Sequence, residues 1–288
     1  MNMKNTRNLL ALALFVAATG CSDDKASNAP DAAVAADAAQ TATVSLSTAG
    51  TLGAHLVDKD NKALYFYVPD VVLSTKSTCN AGCVGNWPVF NAPSPTVGDG
   101  LTAADFGSIT RDDGSTQTTW KGRPLYYYGA DTAGTTAGEA KGGIWFVARA
   151  YNLFFATNAA VTPAGAAIGT PFLTNGAGRS LYVFKNDTRG VSGGAPTSAC
   201  TAAANDCVTK WPVWEKPATL TTVVLPSTIP AADVTSFTNP NPAKVQFVYK
   251  GWPTYFFNAD TAAGQVAGAS VSPTTWFAVA PGFNGPLP

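Results

Sequence analysis

The amino-acid sequence predicts an all-β fold built from small repeated units, and three observations support this prediction. A short pattern (Tyr, any residue, an aromatic residue, two further residues, then Asp) occurs four times in short apolar segments. A turn-forming sequence precedes each copy, and the chain contains 27 glycines and 20 prolines. Short apolar segments between regularly spaced turns are typical of β-sheet proteins.

The four copies of the pattern, which we call the motif, share a common context. Their defining residues are Tyr65, Tyr67 and Asp70; Tyr126, Tyr128 and Asp131; Tyr182, Phe184 and Asp187; and Tyr255, Phe257 and Asp260. Turns rich in Gly, Asn or Lys precede them at 59–62, 121–123, 175–178 and 250–252. Such turns favour hairpins. A Trp in a second apolar run follows each motif tyrosine after 19 to 29 residues, so each unit should contain a hairpin, a variable loop and a Trp strand.

The units are further related in pairs. The segment Cys83–Val89 aligns without gaps with Cys207–Val213, and both contain Cys-Val and Trp-Pro-Val. The segment Gln117–Tyr126 aligns in the same way with Gln246–Tyr255. We therefore predict two tandem modules, residues 45–150 and 169–288, separated by a junction at 151–168. The modules should form four pseudo-equivalent β-meander units in a propeller-like arrangement, because this leaves no long open edges. Two β-sandwiches are the alternative.

The N-terminus has the features of an export signal. Lys4 and Arg7 precede an apolar run that is shorter than the roughly 20 residues of a membrane-spanning helix. Small residues then precede Cys21, which resembles a bacterial lipobox. We therefore predict a signal peptide at 1–20 and a lipid anchor on Cys21, with ordinary cleavage and a free thiol as the alternative. By resemblance to Gram-negative lipoproteins, Ser22 favours the outer membrane.

A flexible tether is predicted to follow the anchor at 21–44. Residues 22–44 contain no aromatic residue and are rich in Ala, Asp and Ser, so they bury too little apolar surface to offset the entropy of ordering. A flexible chain of this length reaches on the order of 25 Å. A helix over Ala32–Ala39 is the alternative.

Four cysteines remain in the two modules, and they occupy corresponding loops. Cys79 and Cys83 lie before the first Trp-Pro strand, and Cys200 and Cys207 lie before its counterpart. An even number of cysteines at equivalent positions in an exported protein predicts one disulfide per module. A four-cysteine metal site and redox-active thiols are the alternatives, although neither pair has Cys-x-x-Cys spacing.

The motif aromatics are predicted to belong to the core. The segments around them are apolar on both faces, which is typical of buried strands. The hydroxyls of Tyr65, Tyr126, Tyr182 and Tyr255 should find internal partners, and the motif aspartates should accept backbone hydrogen bonds where strand becomes loop. The alternative is an aromatic-lined pocket for a sugar or another planar ligand.

These features together resemble the bacterial secreted-repeat lipoproteins, a family known for a Tyr-x-aromatic-x-x-Asp motif. The motif, the Cys-bounded loop before Trp-Pro and the segment 111–117 carry the resemblance, which extends from Thr51 to Val279. The second module departs from it, because Asn-Pro-Asn-Pro at 239–242 replaces the Arg-Asp-Asp-Gly-Ser segment. The resemblance implies export and no established activity.

The composition and charge of the chain argue against several classes of function. The predicted leader carries two of the 18 basic residues and none of the 18 acidic ones, so the mature chain has a net charge of −2 and no basic stripe, which argues against nucleic-acid binding. His55 is the single histidine, and no Gly-x-Ser-x-Gly elbow accompanies it. We expect no enzymatic activity, cofactor or metal site. The sequence predicts a lipid-anchored envelope protein that binds or organises an unknown envelope protein or small ligand. The alternative is a ligand or metal carrier accessory to envelope redox chemistry.

Overall fold

The computed structural model describes residues 42–157, 171–191, 194–202, 206–271, 273–283 and 285. The predicted signal peptide, Cys21, all but the last three residues of the predicted tether and residues 158–168 of the predicted junction lie outside these ranges. The described residues belong to one compact unit, Gln40–Pro288. Within them, no helix is both long enough and apolar enough to cross a bilayer.

The described chain consists of short strands and a few single helical turns. The strands are β1 (Val44–Ser47), β2 (His55–Asp58), β3 (Tyr65–Tyr67), β4 (Phe106–Thr110), β5 (Thr116–Trp120), β6 (Arg123–Pro124), β7 (Trp145–Val147), β8 (Leu153–Ala156), β9 (Phe172–Asn175), β10 (Tyr182–Phe184), β11 (Val234–Pro240), β12 (Ala243–Tyr249), β13 (Trp252–Pro253) and β14 (Trp276–Ala278). The helices are α1 (Ala81–Val84), α2 (Cys207–Lys210) and α3 (Gly268–Val271), with 3₁₀ turns at Ala103–Asp105, Lys141–Gly143 and Ala231–Asp233.

The strands form six small antiparallel sheets, none of which closes into a barrel, and each type of sheet occurs twice. The pairs β1–β2 and β8–β9 correspond, as do β3–β7 and β10–β14, and the three-stranded sheets β4–β5–β6 and β11–β12–β13. The predicted all-β fold with repeated units is confirmed. The described part of the predicted junction contains β8, which takes the place in the second half that β1 takes in the first.

All four predicted hairpins form. Val57 pairs with Ala63, Trp120 with Arg123, Thr174 with Ser180 and Tyr249 with Trp252 across their turns. Lys121 and Lys250 occupy equivalent turn positions and share a φ of 48°. In each case a glycine with positive φ follows the lysine, so these two turns have the same left-handed backbone in both modules.

The two units of each module exchange strands, which the sequence did not predict. The Trp145 strand of the second unit pairs with β3 of the first, in the register Tyr67↔Trp145. The Trp87 strand of the first unit reaches the second, where Val89 bridges to Tyr126. Tyr65 and Tyr126 bridge each other between these outer strands. The second module repeats the arrangement, with β14 on β10, Tyr182 on Tyr255 and Val213 on Tyr255.

A central apolar core joins the two modules. It contains residues from both, including Phe66, Phe154 and Phe247, all of which are buried. Two smaller clusters surround the motif copies, one in each module. Phe154 on β8 lies at the middle of the central core: its ring packs against Phe66 and Phe146, and the guanidinium of Arg123 lies 4.6 Å from its centroid.

Replacing Phe154 with alanine should destabilise both modules together. The substitution leaves a cavity in the shared core, and such changes cost about 3–5 kcal/mol. We expect one cooperative urea transition, monitored by tryptophan fluorescence and far-UV circular dichroism, with its midpoint shifted to lower urea. The control Val245→Ala removes methyl groups from a partly exposed side chain and should shift the midpoint little. Two separate transitions in the Phe154 variant would contradict a shared core.

Candidate functional site

Each motif tyrosine is hydrogen-bonded to the aspartate of the other copy in its module. The Tyr65 hydroxyl donates to Asp131 Oδ2, and the Tyr126 hydroxyl donates to Asp70 Oδ2. The strand exchange makes this possible, because it places the two motif strands side by side with each aspartate beyond the end of its neighbour. The second module has the same reciprocal pair: Tyr182 donates to Asp260 at 2.6 Å and Tyr255 donates to Asp187 at 2.8 Å.

The second oxygen of each carboxylate fixes the loop that follows its own motif. Asp70 Oδ1 accepts the backbone N–H of Thr78 at 2.6 Å, and Asp131 Oδ1 accepts that of Ala137 at 2.7 Å. In the second module the corresponding donors are the backbone N–H groups of Ala199, at 2.8 Å, and Ala267, at 2.9 Å. Each aspartate therefore links a strand of the partner unit to a loop of its own unit.

Further groups complete the hydrogen bonds of the tyrosine hydroxyls. Ser77 Oγ lies 2.5 Å from the Tyr126 hydroxyl, and Ser198 Oγ lies 2.7 Å from the Tyr255 hydroxyl. The backbone N–H of Gly138 donates to the Tyr65 hydroxyl at 3.2 Å. A side chain at Gly138 would not fit, because a Cβ atom there would lie 2.9 Å from the Tyr65 ring.

The two Trp residues of each module stack on each other. The rings of Trp87 and Trp145 have centroids 3.8 Å apart and an interplanar angle of 2°. Tyr67 covers the outer face of Trp145, and Tyr128 covers that of Trp87. The middle aromatic residue of each motif thus ends a four-ring stack.

The second module has the same stack with phenylalanine at both ends. Trp211 and Trp276 lie 3.8 Å apart, flanked by Phe257 and Phe184. A hydroxyl is therefore not needed at the ends of the stack.

Both predicted loop disulfides form, Cys79–Cys83 and Cys200–Cys207. Each holds a one-turn helix directly before a stacked Trp. The backbone N–H of Trp87 donates to the Cys83 carbonyl, and that of Trp211 donates to the Cys207 carbonyl. The disulfides therefore help to position the tryptophans, and both cysteine pairs are used in bonding rather than in metal binding or thiol chemistry.

The hydrogen-bonded ends of the motif are sealed from solvent. Tyr65, Tyr126, Tyr182 and Tyr255 are all 0% exposed. Burial raises the pKa of each of these hydroxyls above its ordinary value, and it also raises the pKa of the Asp70 and Asp260 carboxyls. No group of three or more potential metal ligands lies together in the described parts of the chain.

An open cleft of about 830 Å³ lies between the modules and is a candidate binding site. The first module contributes Leu73 and Lys121, and the second contributes Arg179, Trp214 and Phe256. This volume is in the range of small-molecule sites. The cleft could not be predicted from the sequence, because its lining comes from several segments between Val72 and Phe256 that share no motif.

The motif tyrosine and the aromatic residue two positions later should respond differently to the same substitution. Tyr65→Phe removes the donor to the buried Asp131, and leaving such an acceptor unsatisfied costs about 1–3 kcal/mol. Tyr67→Phe should be nearly neutral, because the Tyr67 hydroxyl makes no hydrogen bond to any described residue. Urea midpoints of the two variants test this difference, and equal costs would show that the Tyr–Asp bond does not support the fold.

Stability should fall between about pH 4 and pH 7, partly because of Asp187. Burial raises the pKa of its carboxyl to about 7, while an unfolded aspartate titrates near pH 4. In this window the folded chain holds a proton that the unfolded chain releases, so stability is highest at the acidic end and is lost as pH rises. One such group contributes up to about 1.4 kcal/mol per pH unit.

Asp187→Asn should flatten this dependence, because the amide has no proton to release. Urea midpoints at pH 5 and pH 7 measure the change. Asp99→Asn, at an exposed carboxyl outside the motif, serves as the control and should keep the wild-type slope. An Asp187 variant with the wild-type slope would exclude this group as the source.

Comparison with known proteins identifies the repeats. A family model described as a secreted repeat of unknown function matches residues 47–91, 107–149 and 243–280. These segments contain three of the four motif copies, those that begin at Tyr65, Tyr126 and Tyr255. No curated protein and no solved structure matches the chain. Three segments, spread over both modules, therefore match the secreted repeat of unknown function.

Proposed function

We propose that this protein is a lipid-anchored, non-catalytic binding protein of the bacterial envelope, attached through Cys21 to the outer membrane. The three secreted-repeat segments support a location outside the cytoplasm. The small residues before Cys21 and the aromatic-free stretch that follows it support an anchor with a tether.

The observation that supports a non-catalytic role is that the repeated tyrosines, aspartates and cysteines all bond within the scaffold. The four motif tyrosines and aspartates bond to one another and to loop backbone, and the four body cysteines are in disulfides. Repeated residues that only hold the fold leave binding to surfaces that differ between the units. The inter-module cleft and the loops of variable length between Tyr and Trp are such surfaces.

The lipid anchor is tested by Cys21→Ala. Cell fractionation should find the wild-type protein with membranes and the variant in the soluble fraction, because the thiol that would carry the lipid is gone. Intact-mass measurement of the wild-type protein should show an added acyl-bearing group. Ser22→Ala is the matched control and should remain with membranes, since it keeps the acylated cysteine. Retention of the Cys21 variant at the wild-type level would exclude lipidation as the anchor.

A further inference from the structure

The cleft between the modules combines an apolar lining with one positive charge that forms no ion pair among the described residues. Four charged residues line it: Asp105, Lys121, Arg179 and Glu215. Lys121 and Asp105 form an ion pair with each other at 2.7 Å, and Glu215 is paired with Lys244 at 2.5 Å. Arg179 forms no ion pair within the described chain. Among the charged side chains that line the cleft, the Arg179 guanidinium is therefore the one without a salt bridge to a described residue.

Arg179 is held in place by its surroundings. Its guanidinium carbon lies 4.5 Å from the centroid of the Phe256 ring, and Nη2 donates to the Phe257 carbonyl at 3.2 Å. Nε is buried and has no hydrogen-bond partner among the described residues. Burial lowers the pKa of this guanidinium, and the nearby Asp260 carboxyl partly offsets that effect. A desolvated, pre-positioned guanidinium gains more from an anionic partner than a fully hydrated one.

The remaining polar groups of the cleft also favour an anion. Asn152 and Asn175 line it, and the side-chain oxygen of each accepts a hydrogen bond from a backbone N–H group. Asn152 Oδ1 accepts from Val224 at 2.7 Å, and Asn175 Oδ1 accepts from Arg179 at 2.9 Å. Neither amide nitrogen donates a hydrogen bond within the described chain. These two asparagines and Arg179 therefore offer a ligand hydrogen-bond donors.

Much of the rest of the lining is apolar. Trp214, Phe247 and Phe256 line it, each less than a tenth exposed, and Leu220 is partly exposed. Leu73, in the loop that follows the first motif, is 77% exposed. One positive charge, several donors and an apolar lining match a ligand with one negative charge on an apolar body.

We propose that the inter-module cleft binds a small amphipathic carboxylate, with the carboxylate at Arg179 and the apolar body along Leu73 and the aromatic side chains. A monocarboxylate fits better than a phosphate, because one guanidinium balances one negative charge. This inference rests on the proposed binding role and names its ligand class. It does not depend on the lipid anchor at Cys21, so an experiment that contradicts the anchor leaves the ligand proposal untouched, and the reverse also holds.

The first experiment compares two fluorescent probes that differ in one charged group. Anilinonaphthalene sulfonate carries a single negative charge, and N-phenylnaphthylamine has the same aromatic body without it. The protein is the full chain carrying Cys21→Ala, so that the probes cannot partition into an acyl group or detergent. The anionic probe should bind saturably at one site and more tightly than the neutral probe. Absence of saturable binding of the anionic probe would overturn the inference.

The variant Arg179→Gln tests whether the Arg179 guanidinium binds the charged group of the anionic probe. The variant should bind the anionic probe at least about tenfold more weakly and the neutral probe within about twofold of the unsubstituted chain, since charge-assisted hydrogen bonds are the strong ones. Arg189→Gln, at an exposed arginine of the same module outside the cleft lining, should change neither affinity. Unchanged binding of the anionic probe by Arg179→Gln would overturn the inference while leaving a general binding role intact.

A second pair of variants remains informative if Arg179→Gln fails to fold. Leu73 is exposed at the cleft, so Leu73→Lys and Leu73→Glu should fold equally well and differ only in the sign of the added charge. The lysine variant should bind the anionic probe a few-fold more tightly and the glutamate variant a few-fold more weakly. Equal affinities would place the probe elsewhere.

Displacement of the bound anionic probe by unlabelled anions tests which class of ligand the cleft binds. Octanoate should displace the bound anionic probe, whereas acetate at the same concentration should not, because it has the carboxylate without the apolar body. Inorganic phosphate should also fail to displace it. Displacement by phosphate or acetate as effective as that by octanoate would show that the site recognises a small anion only, and would overturn the amphipathic assignment.

Discussion

The structure depends on the reciprocal hydrogen bonds between motif copies, in which each tyrosine donates to the aspartate of its partner. A carboxylate buried without partners is strongly unfavourable, and a buried tyrosine hydroxyl without an acceptor is also costly. In this protein the tyrosine hydroxyl supplies the donor and the aspartate carboxylate supplies the acceptor. One oxygen of Asp260, for example, accepts from Tyr182, and the other accepts from the backbone of Ala267. Since both oxygens are used, losing either contact leaves an unsatisfied group in a low-dielectric interior.

This dependence explains why the motif occurs in pairs within each module. A single unit would bury a tyrosine with no acceptor and an aspartate with no hydroxyl donor. It would also lack the strand that covers its own motif strand, because the Trp strand of each unit pairs with the other unit. The stacked tryptophans lie between the two units, with one ring from each. The smallest complete structure is therefore a pair of units.

The division between scaffold and surface follows from the same contacts. The motif residues and disulfides are repeated because each performs the same packing task in each module. The inter-module cleft is not repeated, since it forms once, where the first module meets the second. Arg179 lies on the hairpin that precedes the third motif copy, directly before Ser180, and the equivalent position before the first copy is Lys62. Binding at the cleft would therefore be a property of the assembled pair of modules.

The sequence by itself determined the secondary structure class, the four hairpins, the disulfide pairs and the burial of the motif tyrosines. These are local or periodic properties: turn residues, cysteine spacing and segments apolar on both faces specify them without knowledge of distant contacts. It also indicated that the aspartates would bond to loop backbone, as Asp70 does with Thr78.

Only the tertiary structure decided which unit supplies the neighbouring strand and the hydrogen-bonding aspartate of each motif tyrosine. A sequence repeat is equally consistent with strands that pair within a unit and strands that pair between units, because the same side chains are buried in both cases. The bond from Tyr65 to Asp131 spans 66 residues, and no feature of either segment specifies the other. The cleft has the same origin: among the described residues Arg179 has no salt bridge, because the other charged side chains of the lining form ion pairs elsewhere once the chain has folded.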